Sequence, residues 1–232
     1  QEDPPVSARD AVIVEAVRAP VGRRGGSLAS VHPVDLSAHV LTALVERAGL
    51  APDRIDDVIW GCVQQVGAQS FNIGRNAVLA AGWPQEVPAT TIDRQCGSSQ
   101  QAVHFAAAGL IAGQYDVVVV GGVEAMSTIP MGAALGTDLG FPYPPSVLER
   151  YGVTTFNQGI GAEMMAQKWA LTREACDTFA SQSHARLAAA TDSGALAGQL
   201  VPVPLADGSV LSADEGLRRG TTVESLSGLK PV

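Results

Sequence analysis

Between residues 11 and 122 the chain alternates short apolar runs with longer stretches in which apolar residues recur at helical spacing. That alternation is the signature of a layered α/β domain with a parallel sheet, because consecutive parallel strands need a crossover long enough to hold a helix. Ala11–Val17 (AVIVEAV) is short and β-branched, and predicts a buried strand that stops before Pro20. Gly22–Ser27 (GRRGGS) predicts a mobile loop. From Pro33 an amphipathic helix is expected, with Leu36, Val40, Leu41, Leu44, Val45 and Ala48 on one face and Gly49 as its stop. Strands are expected at Val58–Gly61, Thr90–Asp93 and Val117–Val120, and helices at Ile73–Ala81 and Gly97–Ala112. The four consecutive valines predict a strand covered on both faces.

The pattern changes near Ser127. Residues 128–156 are rich in Gly, Pro and Met and show no clear period. Helical spacing returns at Ile160–Trp169 and Arg173–Ala190, the latter with Thr172 as N-cap and Gly194 beyond its end. Residues 198–232 predict short irregular segments with strands. The division expected is a polar N-terminus of disordered or tag-like character over residues 1–10, an α/β domain over 11–127 and a second region over 128–232.

Charge and cysteine usage narrow the function. A net charge of −8 over 232 residues disfavours nucleic acid as a partner. An anionic small molecule would need a local cationic patch, for which Arg23 with Arg24 and Arg218 with Arg219 are the candidates. The three cysteines, Cys62, Cys96 and Cys176, form no CxxC pair, which favours a reducing compartment and gives no metal-ligand spacing. Gln1–Asp10 lacks the apolar core of a signal region, and no apolar run approaches the length of a membrane span. A cytoplasmic location follows as the expectation. The first residue is Gln rather than Met, so the start is expected to be a trimmed or processed end.

The segment richest in chemistry is Thr91–Ala107, TIDRQCGSSQQAVHFAA. A strand ends, Cys96 falls at the turn, and Gly97, Ser98 and Ser99 lead into an apolar helix. A cysteine at a helix N-terminus sits at the positive end of the dipole, among N–H groups with no partner in the helix. Both favour thiolate over thiol, and small neighbours allow a substrate to approach. Cys62, directly after a strand, reads as a core residue. Cys176, in the first turn of a helix, reads as structural. Most single cysteines are core residues, so strand–Cys–helix alone leaves both roles for Cys96 open.

The wider sequence resembles the thiolase family. Cys96-Gly97-Ser98 matches its nucleophile signature, and Gly121-Gly122-Val123-Glu124-Ala125-Met126-Ser127 matches the motif that follows its valine-rich strand. VIVEAVRAPVGRRGGSL, HPVDL at 32–36, VIWGCVQQVG at 58–67, NIGRNAVLAAG at 72–82, GAEMMAQKW at 161–169 and EGLRRGTTVESLSGLKP at 215–231 match in the family's order. The resemblance covers almost everything after about residue 10.

The resemblance implies a layered αβαβα fold, with this chain as its N-terminal half plus the inserted loop domain that contacts coenzyme A, and with the C-terminal half absent. It implies Cys96 as the nucleophile, which carries an acyl group while a 3-ketoacyl-CoA is formed or cleaved. Coenzyme A and acyl-CoA are then substrates; no metal or permanently bound cofactor is implied. Arg218 and Ser225 match family positions that contact coenzyme A. Asn157 stands where biosynthetic members often carry a histidine, which weakens a short-chain biosynthetic assignment. A homodimer or dimer of dimers is implied.

The family's remaining catalytic groups, a histidine, a second cysteine and an Asn-bearing oxyanion site, lie in C-terminal motifs that these residues lack. His104 cannot replace the histidine: eight residues along one helix is about 12 Å, against the ~3 Å a general base needs. His32 matches a helix start, and His39 and His184 lie on amphipathic helices. Two alternatives stay open. One is another condensing enzyme of the superfamily, a ketoacyl synthase or a sterol-carrier-type thiolase. The other is a non-catalytic thiolase-like scaffold.

Overall fold

The computed structural model describes residues 9–135, 138 and 140–230. Most of the expected N-terminal tail therefore lies outside the described residues. Within them Arg9 pairs with Asp116. The chain divides into two compact units, Gln1–Gly136 with Gln199–Glu215, and Thr137–Gly198 with Gly216–Val232. A boundary at 127 was expected; the first unit instead runs on to Gly136 and takes back Gln199–Glu215.

The first unit is built on a three-stranded parallel sheet in the order β2-β1-β3, formed by β1 (Asp57–Gly61), β2 (Ala89–Ile92) and β3 (Val118–Gly122). Helices α1 (Pro33–Ala48) and α2 (Ile73–Ala80) precede β1 and β2, and α3 (Ser98–Ile111) connects β2 to β3. Successive strand residues point to opposite faces, and the two faces have separate cores. Val58, Trp60 and Val119 pack with Leu41 and Val45 of α1 and with Ile73, Ala77 and Val78 of α2. Ile59 packs with Ala102 and Ala106 of α3, flanked by Ile92, Val118 and Val120. Leu41, Val58, Ile73 and Val78 are fully buried, and each such side chain contributes about 1.5–3 kcal/mol.

Local chemistry explains the helix boundaries. The side chain of His32 caps α1, its Nδ1 accepting from Val34 N–H at 3.3 Å, and Gly49 ends the helix in the left-handed conformation. Asn72 caps α2 by accepting from Arg75 N–H.

Three expectations fail in this unit. Ala11–Val17 is not a strand and is not buried: Val12, Ile13 and Val14 are 71, 81 and 79% exposed. A strand exists only when paired, and this segment pairs with neither outer edge of the sheet, at β2 or at β3. The valine run is not covered on both faces throughout. β3 is an edge strand in which only Val119 is buried.

Nor is Gly22–Ser27 a loose loop. The Glu215 carboxylate accepts from Arg23 N–H at 3.0 Å and from Ser27 Oγ–H at 2.7 Å, and Gly25 N–H donates to Ser127 Oγ at 2.9 Å. The Ser27 hydroxyl, followed by backbone N–H groups, holds the Glu215 carboxyl below its ordinary range. Next to it Asp214 takes Arg18 in a two-point pair at 2.7 and 2.9 Å and accepts from Val21 N–H. Arg18 also forms a parallel bridge to Leu200, so these acidic residues tie Gln199–Glu215 to the first unit. Asp214→Ala is expected to lower stability by about 1–3 kcal/mol, read as a reduced urea midpoint; an unchanged midpoint would remove this tie from the account.

The second unit contains α4 (Pro145–Tyr151), α5 (Gln158–Lys168), α6 (Arg173–Asp192) and α7 (Val223–Ser227). The short pair β4 (Val203–Pro204) and β5 (Val210–Leu211) belongs to the first unit. Thr172 caps α6 as its sequence implied. α4 was not anticipated, since two turns are too short to show a period. Among the described residues no helix is long and apolar enough to cross a membrane.

Candidate active site

Cys96 lies in the connection from β2 to α3, exposed at the surface. Arg94–Gly97 forms a tight turn closed by Gly97 N–H donating to Arg94 C=O at 2.6 Å. Cys96 is its third residue and has φ +59°, while Gly97 has φ −131°. A left-handed conformation at that position is what a type II turn takes, normally from glycine. For a residue with a Cβ it costs about 1–2 kcal/mol. The turn presents the sulfur just ahead of the first turn of α3, whose N-cap Gly97 supplies no side-chain bond.

Two features hold this turn and a third holds the loop after β1, and none of them was picked out from the residues as a structural support. The Ser98 hydroxyl, in a residue only 7% exposed, accepts from Arg94 N–H at 3.1 Å. Gly61 at the end of β1 and its register partner Gly122 at the end of β3 lie against Ser98 and Ser99. The Glu124 carboxylate, two residues past β3, accepts from Val63 N–H at 2.9 Å and from the Gln69 amide at 2.8 Å, while Gln69 Oε1 accepts from Ala125 N–H. Gln69 is fully buried with both ends of its amide bonded. Glu124 stands within the Gly-Gly-Val-Glu motif, so its position carried a signal; Gln69 carried none.

The other cysteines differ from it. Cys62 is buried, as expected, and burial followed by the Glu124 and Asp93 charges pushes its thiol up to about 12. Cys176, expected to be structural, is exposed on α6. The histidines have their own local roles: His32 caps α1, His39 Nε2 bonds to Pro202 C=O at 2.8 Å, His104 lies along α3, and His184 Nδ1 accepts from Arg218 N–H.

Arg218 and Ser225 belong to the second unit and Cys96 to the first. Arg218 is exposed, and its guanidinium forms no ion pair among the described residues, whereas Arg219 pairs with Asp192 at 2.7 Å. Ser225 closes a capping box with Thr222 at the start of α7. The Asn157 side chain caps α5, accepting from Gly159 and Ile160 N–H groups. A cavity of about 920 Å³ lies beside β3, lined by Trp60, Val120, Gly121 and Leu41 among others, with Arg23 and Arg24 at it; Cys96 is not part of it.

A Cys-bearing turn at the helix that follows the second of three parallel strands defines an α/β domain with an exposed thiol at a helix start. A family model described as the thiolase N-terminal domain matches residues 11–232, and the chain belongs to that family. Steroid 3-ketoacyl-CoA thiolase FadA6 of Mycobacterium tuberculosis is 43% identical over 96% of this chain and 56% of its own length. The 3-ketoacyl-CoA thiolase of Klebsiella pneumoniae is 44% identical over 95% of this chain and 57% of its own. The crystal structure of the Bacillus anthracis acetyl-CoA acetyltransferase superposes with a TM-score of 0.83 at 38% identity, over 97% of this chain and 59% of that one. The chain thus spans a little over half the length of these relatives, and its α/β fold is that of the thiolase N-terminal domain.

The backbone at Cys96 allows a direct test. Cys96→Gly is expected to be about 1 kcal/mol more stable than Cys96→Ala, because only the former relieves the left-handed conformation. Denaturant melts of the two variants check it; equal midpoints would mean that the turn relaxes when the thiol is removed.

Proposed function

We propose that this chain supplies the acyl-carrying nucleophile of a thiolase-type acyltransferase that forms or cleaves 3-ketoacyl-CoA. The observation that carries the reading is Cys96, exposed on a strained turn at the start of α3 within the Cys-Gly-Ser motif. The Cys96 thiol gives up its proton and the thiolate attacks the carbonyl carbon of a thioester; the new S–C bond forms, the carbonyl's bond to the coenzyme A sulfur breaks, and coenzyme A takes up a proton in place of the one released and leaves as the free thiol. With a 3-ketoacyl-CoA, attack at the 3-keto carbon instead breaks the bond between the α- and β-carbons. The departing acetyl-CoA enolate is then protonated at its α-carbon. In the second half-reaction either free coenzyme A or an acetyl-CoA carbanion takes the acyl group from Cys96. The names of the relatives cover both 3-ketoacyl-CoA thiolases and an acetyl-CoA acetyltransferase, and the proposal includes both directions. Self-association as a homodimer or dimer of dimers is part of it.

The deciding experiment incubates the chain with acetyl-CoA and maps the adduct by mass spectrometry of its peptides. An acetyl group on the Cys96 peptide, absent from Cys96→Ala, is the expected result. Acetylation spread over Cys96 and Cys176 alike would show a surface thiol and not an acyl carrier.

Arg218 is proposed to meet the phosphate-bearing end of coenzyme A, since its charge is not neutralised by a carboxylate as that of Arg219 is. Arg218→Ala is expected to weaken coenzyme A binding by calorimetry roughly five- to hundredfold, the worth of one charge-assisted contact of about 1–3 kcal/mol. An unchanged dissociation constant would strike Arg218, and an unchanged value in Ser225→Ala would strike Ser225.

A further inference from the structure

We propose that Gly61 and Ser98 are the positioning residues for Cys96: the bare Cα of Gly61 lets the first turn of α3 seat against the end of β1, and the Ser98 hydroxyl locks the Cys96 turn to that seat. The proposal rests on the reading of Cys96 as nucleophile and adds how the fold holds it in an unfavourable conformation.

The seat has no spare room. A Cβ added at Gly61 would lie 2.6 Å from the backbone nitrogen of Ser99 and 2.8 Å from both the carbonyl carbon and the Cβ of Ser98. None of these is a flexible side-chain tip, so the helix start would have to move. Gly122, paired with Gly61 across the parallel register, is equally closed: a Cβ there would overlap Ser99 Oγ and come within 2.6 Å of Gly61 C=O. Val123 N–H donates to Gly61 C=O at 2.9 Å, and the Glu124 carboxylate holds the loop after β1, so the two strand ends cannot spread easily.

The lock spans the nucleophile. Arg94 accepts from Gly97 N–H through its carbonyl and donates to Ser98 Oγ through its own N–H, so Gln95 and Cys96 are enclosed between two bonds to one residue. Ser98 is buried between that turn and Gly61. A non-glycine residue at φ +59° persists only where its surroundings over-determine it. Seat and lock together do so, and they set where the sulfur points.

The test uses the full chain and reads the alkylation rate of Cys96 relative to Cys176 in the same molecule, across pH. Gly61→Ala and Ser98→Ala are expected to lower that ratio by about tenfold or more, since displacement of about 1 Å at a reacting group is costly. Gly74→Ala is the control. Its Cβ would meet Trp60 Cβ at 2.7 Å on the opposite face of β1, so it perturbs packing equally, and it is expected to leave the ratio unchanged. Should Gly61→Ala fail to fold by circular dichroism, Ser98→Ala, which only deletes an atom, decides alone. An unchanged ratio in Ser98→Ala, or an equal loss in Gly74→Ala, overturns the proposal. A wild-type ratio near one overturns instead the assignment of Cys96 as nucleophile.

Discussion

At pH 7.5 iodoacetamide is expected to modify Cys96 at least about a hundredfold faster than Cys62. The reactive species is the thiolate. An ordinary exposed thiol, with a pKa of about 8.5, is roughly one-tenth ionised at that pH. Cys62, pushed up to about 12 by burial and by the Glu124 and Asp93 charges, is ionised to only a few parts in 10⁵ by the same relation. That is a difference of about three and a half orders of magnitude. A more basic thiolate is also the better nucleophile, which returns roughly one and a half orders at a Brønsted slope near 0.4–0.5. The net is about two orders, and the 1% exposure of Cys62 slows access further.

Between pH 7.5 and 9.5 the Cys62 rate should rise about tenfold per unit, because its titration lies above that window. Cys96 should also outpace Cys176. Comparable labelling of Cys62 and Cys96 in the folded chain would mean that Cys62 is not buried as described. In denaturant all three should converge.

The second large effect is on turnover. The 232-residue chain alone is expected to take up about one acyl group on Cys96 and then stop. Acylation needs only a thiolate within reach of a thioester. Repeated turnover needs a proton taken from the incoming thiol or α-carbon and a developing oxyanion held. Those contributions are typically about 10²–10⁴-fold and 10²–10³-fold. The four histidines already have other positions: at the cap of α1, on Pro202 C=O, along α3 and at Arg218 N–H. A thiolysis assay that follows loss of 3-ketoacyl-CoA should therefore show at most one equivalent per chain, and none in Cys96→Ala. Sustained turnover from these residues, abolished by Cys96→Ala, would place the acid–base group within them.

Much of the helical structure of both units was legible in the residues. Helices α1, α2, α3, α5 and α6 announce themselves by apolar spacing and by local stop and start chemistry: Gly49, Thr172, and Gly97 before α3. These are short-range effects, carried by residues within a few positions of each other. Cys96 was legible for a similar reason, since a thiol between a strand and a helix flanked by Gly97, Ser98 and Ser99 is a local arrangement, and its motif matches the family. The fate of Cys62 was legible from the strand before it.

What the tertiary structure decided is whatever depends on distant partners. Ala11–Val17 has the composition of a buried strand, yet an apolar run cannot say whether an edge is open to receive it. The Gly22–Ser27 loop looks loose along the chain because Glu215, which holds it, lies nearly two hundred residues away. The left-handed residue of the turn before α3 is Cys96 and not the adjacent Gly97, against local preference. A contact between α3 and the bare ends of β1 and β3 outweighs a local cost of a kcal/mol or two, and only strands paired in register bring Gly61, Gly122 and Ser98 to one place.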